Sequence, residues 1–322
     1  MKPRRLKTYG EDGSVYHCMS RIVGGEHLLG AREKEIFRKQ LHQLADFCGM
    51  QVLTYCVMSN HFHLLVRVPP EAESRHVGIA ELERRVRVLY SRDEAAAWIS
   101  RLHSEEAEKI RERLLARMGD ISVYLKELKQ RFSTWYNRTH GRYGTLWAER
   151  FASVLVEPTG RALLVVACYI DLNPVRAGLC DDPKEYRWCG YAEAVAGGTE
   201  VRRGLLRVLE SNDWRQAGRE YRLILFGQAY HTDAGGPAGI PEAKLIAVQQ
   251  KAGELSLPEV LRNRVRYFTA GAVIGSRGYV EAVMRKRRDY LSPGRKTGPS
   301  RIRAPALFGV YSLRGLQKKP IG

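Results

Sequence analysis

The order of strand and helix patterns along the first half of the chain most limits the folds open to it. A strand pattern over residues 14–22 precedes helical periodicity over residues 31–48, where apolar side chains recur every three or four positions. Two more strand patterns, residues 51–58 and 61–68, are separated by only two residues, which predicts a tight hairpin. These elements give a β-α-β-β series, whose apolar helix face must pack on the sheet.

The series continues after a charged interruption. An apolar helical stripe begins at residue 121 and extends through residue 136, and a strand pattern follows over residues 145–157. The resulting order, β-α-β-β-α-β, is that of the ferredoxin-like split arrangement, an antiparallel sheet with both helices on one face. The predicted class is therefore α+β. A last helix is expected over residues 161–172, before Pro174.

Three parts of the chain are predicted from these patterns. Residues 1–192 form the α+β domain, with solvated charged helices inserted at about 71–119. Residues 193–261 form a helical extension, and residues 262–322 form a basic C-terminal segment in a mainly helical extension. Within these parts we expect helices near 203–225 and 242–254, and a glycine-rich loop at 227–239.

The positive charge is concentrated at the C-terminal end. The formal net charge of the chain is +18, and residues 262–322 carry fifteen Lys and Arg against two acidic residues, hence thirteen of those charges. Such a surplus repels itself unless a polyanion neutralises it, which favours nucleic acid as a partner. A solubilising tail is the alternative that charge alone leaves open.

Composition excludes several other classes. The chain has 322 residues, of which 44% are hydrophobic, as expected for a folded protein rather than a disordered one. Its longest apolar run, residues 162–170, is about half of what a membrane-spanning helix needs, and no apolar stretch follows the basic start. We therefore expect a cytoplasmic protein without a membrane partner. The six cysteines form no CxxC pair, so reduced thiols are expected.

His61 and His63 form the first candidate site. Alternate strand residues share a face, so the two imidazoles point together while Phe62 points into the opposite layer. Two adjacent imidazoles are half of a metal site, although an H-x-H sequence alone is a weak signal. The other histidines, including His17, are interpreted as ordinary surface or core residues.

Tyr169 and Asn173 form the second candidate site. They are four residues apart, one helical turn, so a phenol and an amide project from one face. Because Asn173 precedes a proline, it is expected at the very end of its helix. Spacing alone favours packing over catalysis for the tyrosine.

Together these segments resemble a known family. Residues 57–65, 144–151 and 169–178 are similar, in this order, to the three motifs of the single-tyrosine HUH transposases, and most similar to the REP-associated tyrosine transposases. Residues 16–21 also match. The resemblance covers about residues 8–192. Three ordered motifs are far more specific than any one of them.

The resemblance implies a metal-dependent endonuclease and strand transferase that acts on single-stranded DNA near hairpins. It implies that Tyr169 is the nucleophile of a 5′-phosphotyrosine intermediate. It further implies that His61, His63 and Asn173 hold a divalent metal, Mg²⁺ or Mn²⁺, and histidine ligands favour the borderline ion Mn²⁺. No residue is identified as the general base.

DNA contacts are expected from basic residues, some interleaved with aromatic ones such as Trp135, Tyr136 and Tyr143. The predicted DNA-binding residues are Arg131, Arg138, Arg142, Arg150, Arg176, Arg285, Lys286, Arg287 and Arg288. The expected partner is single-stranded or hairpin DNA in the bacterial nucleoid, with a possible homodimer. Two alternatives stay open: a non-catalytic hairpin-binding protein derived from a transposase, and a structural metal or RNA-binding protein.

Overall fold

A computed structural model of the chain describes residues 6, 13–70, 76–226, 261, 268–269, 271–291, 297–302 and 307–314. Within these residues the fold is mixed α+β, with one seven-stranded sheet and helices. The α+β class predicted from the sequence is therefore confirmed.

Four strands from the first half of the chain form one side of the sheet: β1 (Ser14–Arg21), β2 (Gln51–Val57), β3 (His61–Val68) and β4 (Ala152–Val156). Their order is β2-β3-β1-β4, and the three pairings are antiparallel. β3 and β1 are therefore the two central strands of this unit.

The sheet does not end at β4. A short strand β5 (Val273–Gly275) pairs in parallel with β4, and β7 (Tyr311–Leu313) and β6 (Ser300–Arg301) continue beyond it in antiparallel pairings. The sheet is thus not wholly antiparallel. The C-terminal segment, predicted as mainly helical, also supplies three strands, which were too short to show a period.

Two long helices cover one face of the sheet. They are α1 (Ala31–Cys48) and α5 (Ile121–His140). Phe62 of β3 points to them: its ring centroid lies 4.9 Å from that of Phe37 on α1, which lies 5.1 Å from that of Phe132 on α5. The alternation that turns Phe62 to these helices turns His61 and His63 to the other face.

A third helix, α6 (Gly160–Asp171), covers that other face, so the prediction of helices on one face holds only for α1 and α5. Nine of its twelve residues are buried, which explains its apolar sequence. Asn173 does not end this helix: after Leu172 it opens a separate turn, α7 (Asn173–Arg176), with Pro174 in the first turn, where a missing N–H costs nothing.

Three short helices form the predicted insert, with α2 at Ile79–Leu89, α3 at Arg92–Leu102 and α4 at Ala107–Leu115. Each buries two side chains: Leu82 and Val86, Ala95 and Leu102, Ile110 and Leu114. The insert therefore packs on α1, and its helices pack on one another. The charge pattern predicted fully solvated helices, and that prediction needs this correction.

Two further predictions need correction. The strand expected over residues 145–157 begins at Ala152, and residues before it form a loop in which Trp147 bridges Ile22. The helix expected near 203–225 is two helices, α9 (Thr199–Val208) and α10 (Trp214–Phe226), preceded by the short α8 (Gly190–Val195). The predicted loop 227–239 and helix 242–254 lie outside the described residues.

Candidate active site

The strand register brings a third histidine to the predicted pair. In the β1–β3 ladder, Arg21 lies opposite His61 and Met19 opposite His63. His17 is two residues from Met19, so it shares this face and is a diagonal neighbour of His63. The ring centroids of His17 and His63 are 5.1 Å apart with planes at 27°, and those of His61 and His63 are 5.2 Å apart. Three imidazoles therefore form one row.

Helix α6 places Tyr169 over this row. Its ring centroid lies 5.6 Å from that of His63 and 5.8 Å from that of His17, both edge to face. The side chain is 0% exposed. The two motifs that the sequence places more than a hundred residues apart thus meet across the interface between α6 and the sheet.

Arg176, on α7, connects Tyr169 to Asn173. Its Nη2 lies 3.4 Å from the Tyr169 phenol oxygen, and its guanidinium carbon lies 4.7 Å from the centre of the tyrosine ring. The same Nη2 donates to Asn173 Oδ1. Asn173 Nδ2 donates to the main-chain carbonyls of Tyr169 and Ile170, at 3.0 and 3.3 Å. Asn173 therefore joins the end of α6 to the guanidinium.

The histidines make a directed set of hydrogen bonds. His63 Nδ1 and His17 Nε2 are 2.9 Å apart, and His17 Nδ1 is 3.0 Å from the main-chain carbonyl of Phe268. His61 Nδ1 is 2.6 Å from Oδ1 of Asn60, whose Nδ2 donates to the carbonyl of Gly25 at 3.0 Å. Both motif histidines are thus held through Nδ1.

Burial and Arg176 keep the site histidines neutral. Burial, with the nearby guanidinium, lowers the pKa of His17 to about 4. Burial, Arg21 and Arg176 lower the pKa of His61 to about 4, and burial and its neighbours lower that of His63 well below its ordinary value. Neutral imidazoles are the form that binds metals. Burial also raises the pKa of the Tyr169 phenol, which Arg176 opposes.

The donor set fits a divalent ion in part. No three His, Cys, Asp or Glu side chains converge on a possible metal position among the described residues. His61 and His63 can supply two imidazole nitrogens, a donor type that suits Mn²⁺ and its neighbours in the first transition row. Asn173, the predicted third ligand, already accepts a hydrogen bond from Arg176, so it reaches an ion only if that oxygen is shared or the guanidinium moves.

Phe268 covers the tyrosine and was not found from the sequence. Its ring stacks on that of Tyr169 with centroids 4.6 Å apart and planes at 23°. His17 is identified only by the pairing of β1 with β3, and Phe268 only by the contact of the C-terminal region with α6. Local sequence patterns reveal neither. Arg176 was expected to contact DNA, but its position on Tyr169 was not foreseen.

Asp171 anchors the end of α6 beneath the site. Its Oδ1 accepts from Thr54 Oγ1 at 2.7 Å and from the Tyr191 N–H at 3.1 Å, and its Oδ2 accepts from the Tyr221 hydroxyl at 2.7 Å. Complete burial nevertheless raises the pKa of this carboxyl to about 6. The carboxyl fixes α6 to β2, α8 and α10, and so fixes Tyr169.

Some predicted DNA-binding residues lie away from this site. Arg131 and Arg138 line a groove of about 660 Å³ on the α1–α5 layer, on the opposite side of the sheet from Tyr169. Trp135 lies in its wall, and Arg117 from the end of the insert joins it. Glu127 pairs with both Arg117 and Arg131. The groove is thus basic, with two of its arginines partly neutralised.

Arg142 and Arg150 belong to the loop after α5, which is hydrogen-bonded to the end of β1: Ala148 N–H donates to the Arg21 carbonyl at 3.0 Å. Between them Tyr143 is 94% exposed. Arg21 itself lies opposite His61. The loop that carries these two cations and the exposed ring is therefore bonded to the strand residue opposite His61.

The C-terminal cations lie on another element. Arg285 and Lys286 end helix α11 (Arg277–Lys286), and Arg287 and Arg288 follow it. Arg285, Lys286 and Arg288 are exposed, and Arg287 stacks over Tyr290 at 4.2 Å. They form a basic turn on the part of the fold that extends the sheet beyond β4.

Comparison with known proteins supports the family resemblance. Residues 12–82 match the family model described as "Transposase IS200 like", and this range contains His17, His61 and His63 but not Tyr169. The resemblance predicted from the motifs is confirmed over that range. No curated protein matches the chain.

One similar solved structure is described as the REP associates tyrosine transposase bound to a REP hairpin. It shares 14% identity with this chain, with a TM-score of 0.40, and the match covers 62% of this chain and 87% of that one.

None of the described helices is long and apolar enough to cross a membrane.

Proposed function

We propose that this protein is a single-strand DNA endonuclease and strand transferase that cuts near DNA hairpins through a covalent link to Tyr169. The observation that carries the proposal is the convergence of Tyr169 on His61 and His63 across the α6–sheet interface, together with the family match over residues 12–82. The antiparallel unit β2-β3-β1-β4 with α1 and α5 would be the ferredoxin-like catalytic core.

The chemistry needs a nucleophile that can also leave. The Tyr169 oxygen would lose its proton and attack the phosphorus of the scissile phosphodiester, forming a 5′-phosphotyrosine while the bond to the 3′ oxygen breaks; that oxygen takes up one proton and leaves as a 3′ hydroxyl. The phosphotyrosine is itself a phosphodiester and conserves the bond energy, so a second 3′ hydroxyl can reverse the step and join new strands without ATP. Arg176, already on the phenol oxygen, would stabilise the phenolate and the phosphate charge.

His61 and His63 would hold the divalent ion. Once bound, such an ion acts as a Lewis acid on the phosphate oxygens. The two neutral imidazoles supply nitrogen donors, and Asn173 would join them only after sharing its oxygen with the ion. The identity of the ion, Mn²⁺ or Mg²⁺, belongs to this proposal.

DNA would approach from the His61 end of the sheet. There Arg21, Arg142 and Arg150 can bind phosphates, and the exposed Tyr143 ring can stack on an unpaired base. Because Tyr169 is buried beneath Phe268, the phosphate can reach the phenol only after Phe268 moves. The groove at Arg131 and Arg138 and the turn at residues 285–288 would contact other parts of the same DNA.

The remaining predictions about the chain belong to the same proposal: the division at residues 192 and 261, a cytoplasmic, nucleoid-associated location and a possible homodimer. The alternative function, hairpin binding without cleavage, is compatible with the burial of Tyr169. The two functions differ in one measurable product, the covalent adduct.

The test is an adduct assay with a hairpin-bearing oligonucleotide and Mn²⁺. We expect a denaturation-resistant protein–DNA species that Tyr169→Phe abolishes while DNA binding persists. Tyr143→Phe is the matched control, because this tyrosine is exposed and outside the row of histidines. Binding without any adduct in the wild-type protein, with either ion, would instead support the non-catalytic alternative.

A further inference from the structure

His17 is a buried histidine to which the proposed chemistry gives no direct part. Its side chain is 0% exposed, and each of its ring nitrogens has a partner. If His17 only filled space, packing alone would suffice and its protonation would not matter. Its two partners are a carbonyl oxygen and another imidazole, and they determine which ring nitrogen carries a hydrogen.

The protons can be assigned from donor and acceptor chemistry. The Phe268 carbonyl can only accept, so His17 Nδ1 carries a hydrogen. In a neutral imidazole the other nitrogen is then an acceptor, so His17 Nε2 must receive a hydrogen from His63 Nδ1. Complete burial of His17 disfavours a charged ring, so the neutral form that this assignment requires is the favoured one.

The same reasoning applies independently to His61. The Asn60 amide nitrogen donates to the Gly25 carbonyl, which turns its oxygen to His61 Nδ1. That oxygen can only accept, so His61 Nδ1 also carries the hydrogen. Both motif histidines are therefore Nδ1–H tautomers, and on each the unprotonated nitrogen is Nε2.

We propose that His17, held by the Phe268 carbonyl, is a positioning residue that fixes His63 as the Nδ1–H tautomer and so leaves its Nε2 lone pair available to a metal ion. Asn60 does the same for His61. The use of that lone pair by an ion rests on the proposed function, whereas the tautomer does not. Hydrogen-bond partners of this kind fix the ring orientation and basicity of metal-binding histidines.

The first test needs neither metal nor DNA. In protein labelled with ¹⁵N-histidine, long-range ¹H–¹⁵N correlation distinguishes protonated from unprotonated ring nitrogens, and His63→Asn identifies the signals of His63. At neutral pH we expect a protonated Nδ1 and an unprotonated Nε2 on His63. A protonated Nε2 there would overturn the proposal without any variant of His17.

Two substitutions of His17 separate positioning from packing. His17→Phe fills the space but offers no acceptor, so His63 should become a mixture of tautomers. His17→Gln offers an amide oxygen to His63, so its Nδ1–H form should persist. The signals of His42, which contacts Glu193 outside the site, should be unchanged in both variants and report that the fold is retained.

Metal affinity gives a second readout. Titration with Mn²⁺ followed by electron paramagnetic resonance should show binding weakened about 10- to 100-fold in His17→Phe, and within a few fold of wild type in His17→Gln. Equal tautomers and affinities in wild type and His17→Phe would overturn the proposal. An intact His63 tautomer without any DNA adduct would instead refute only the proposed function, so the two failures are distinguishable.

Discussion

Removal of the Phe268 side chain should accelerate attack by Tyr169. The phenol is fully buried, and the Phe268 ring stacks on it with centroids 4.6 Å apart. Stacked aromatic pairs contribute about 0.5–1.5 kcal/mol beyond their buried area. If the phosphate enters only when this stack opens, Phe268→Ala should raise the open population, and hence the rate of adduct formation, by about 2- to 13-fold.

The assay measures covalent protein–DNA adduct over time at saturating hairpin DNA and Mn²⁺. Phe308→Ala is the matched control, because this phenylalanine of the same C-terminal region is 67% exposed and packs on Arg301 rather than on the site. We expect the control to react at the wild-type rate. A rate in Phe268→Ala at or below wild type, in a folded protein, would refute the view that this ring blocks access.

Three further perturbations test the burial of Asp171, the packing of α9 on β2 and the DNA contacts of the loop after α5. Burial raises the pKa of Asp171 to about 6, so as the pH falls the folded protein takes up this proton before the unfolded chain does. Protonation of this group therefore adds about 3 kcal/mol to the unfolding free energy below pH 4, and this stability is lost as the pH rises through 6. The difference in unfolding free energy between wild type and Asp171→Asn, followed by denaturant titration from pH 4 to 7, should change by about that amount, and a flat difference would contradict the burial of a charged carboxylate. Gly204→Ala would bring a Cβ within 2.3 Å of the Val52 carbonyl oxygen, so it should lower stability by about 1–3 kcal/mol, whereas Gly278→Ala, with open space, should not. Joint replacement of Arg142 and Arg150 by Gln should lower the slope of log affinity against log salt by about 1.4 for single-stranded DNA, and an unchanged slope would show that neither contacts phosphate.

The sequence predicted the central elements because their patterns are local. The helix expected over residues 31–48 has those bounds in the structure, and β1 and β3 lie where alternating strand formers placed them. The face of His61 and His63 also followed, because alternation in a strand depends only on neighbouring residues. The meeting of Tyr169 with these histidines came from the family resemblance, since spacing alone favoured packing.

What the sequence missed depends on contacts between distant segments. Phe268 contacts Tyr169, about 100 residues earlier in the chain, and His17, about 250 residues earlier. No periodic pattern in the sequence indicates these contacts. The strands after β4 are only two or three residues long, too short for alternation to appear. One histidine in a strand carries no signal until its partner on the adjacent strand is known, so sequence patterns do not single out His17.

The proposed function depends on covalent attachment of DNA to Tyr169. The most direct measurement is mass spectrometry of the proteolysed adduct formed with a hairpin oligonucleotide, since it locates the modified residue. A single peptide that contains Tyr169 should carry a 5′-phosphate-linked nucleotide, and it should be absent from Tyr169→Phe. Attachment at another residue, or an adduct that persists in Tyr169→Phe, would contradict it.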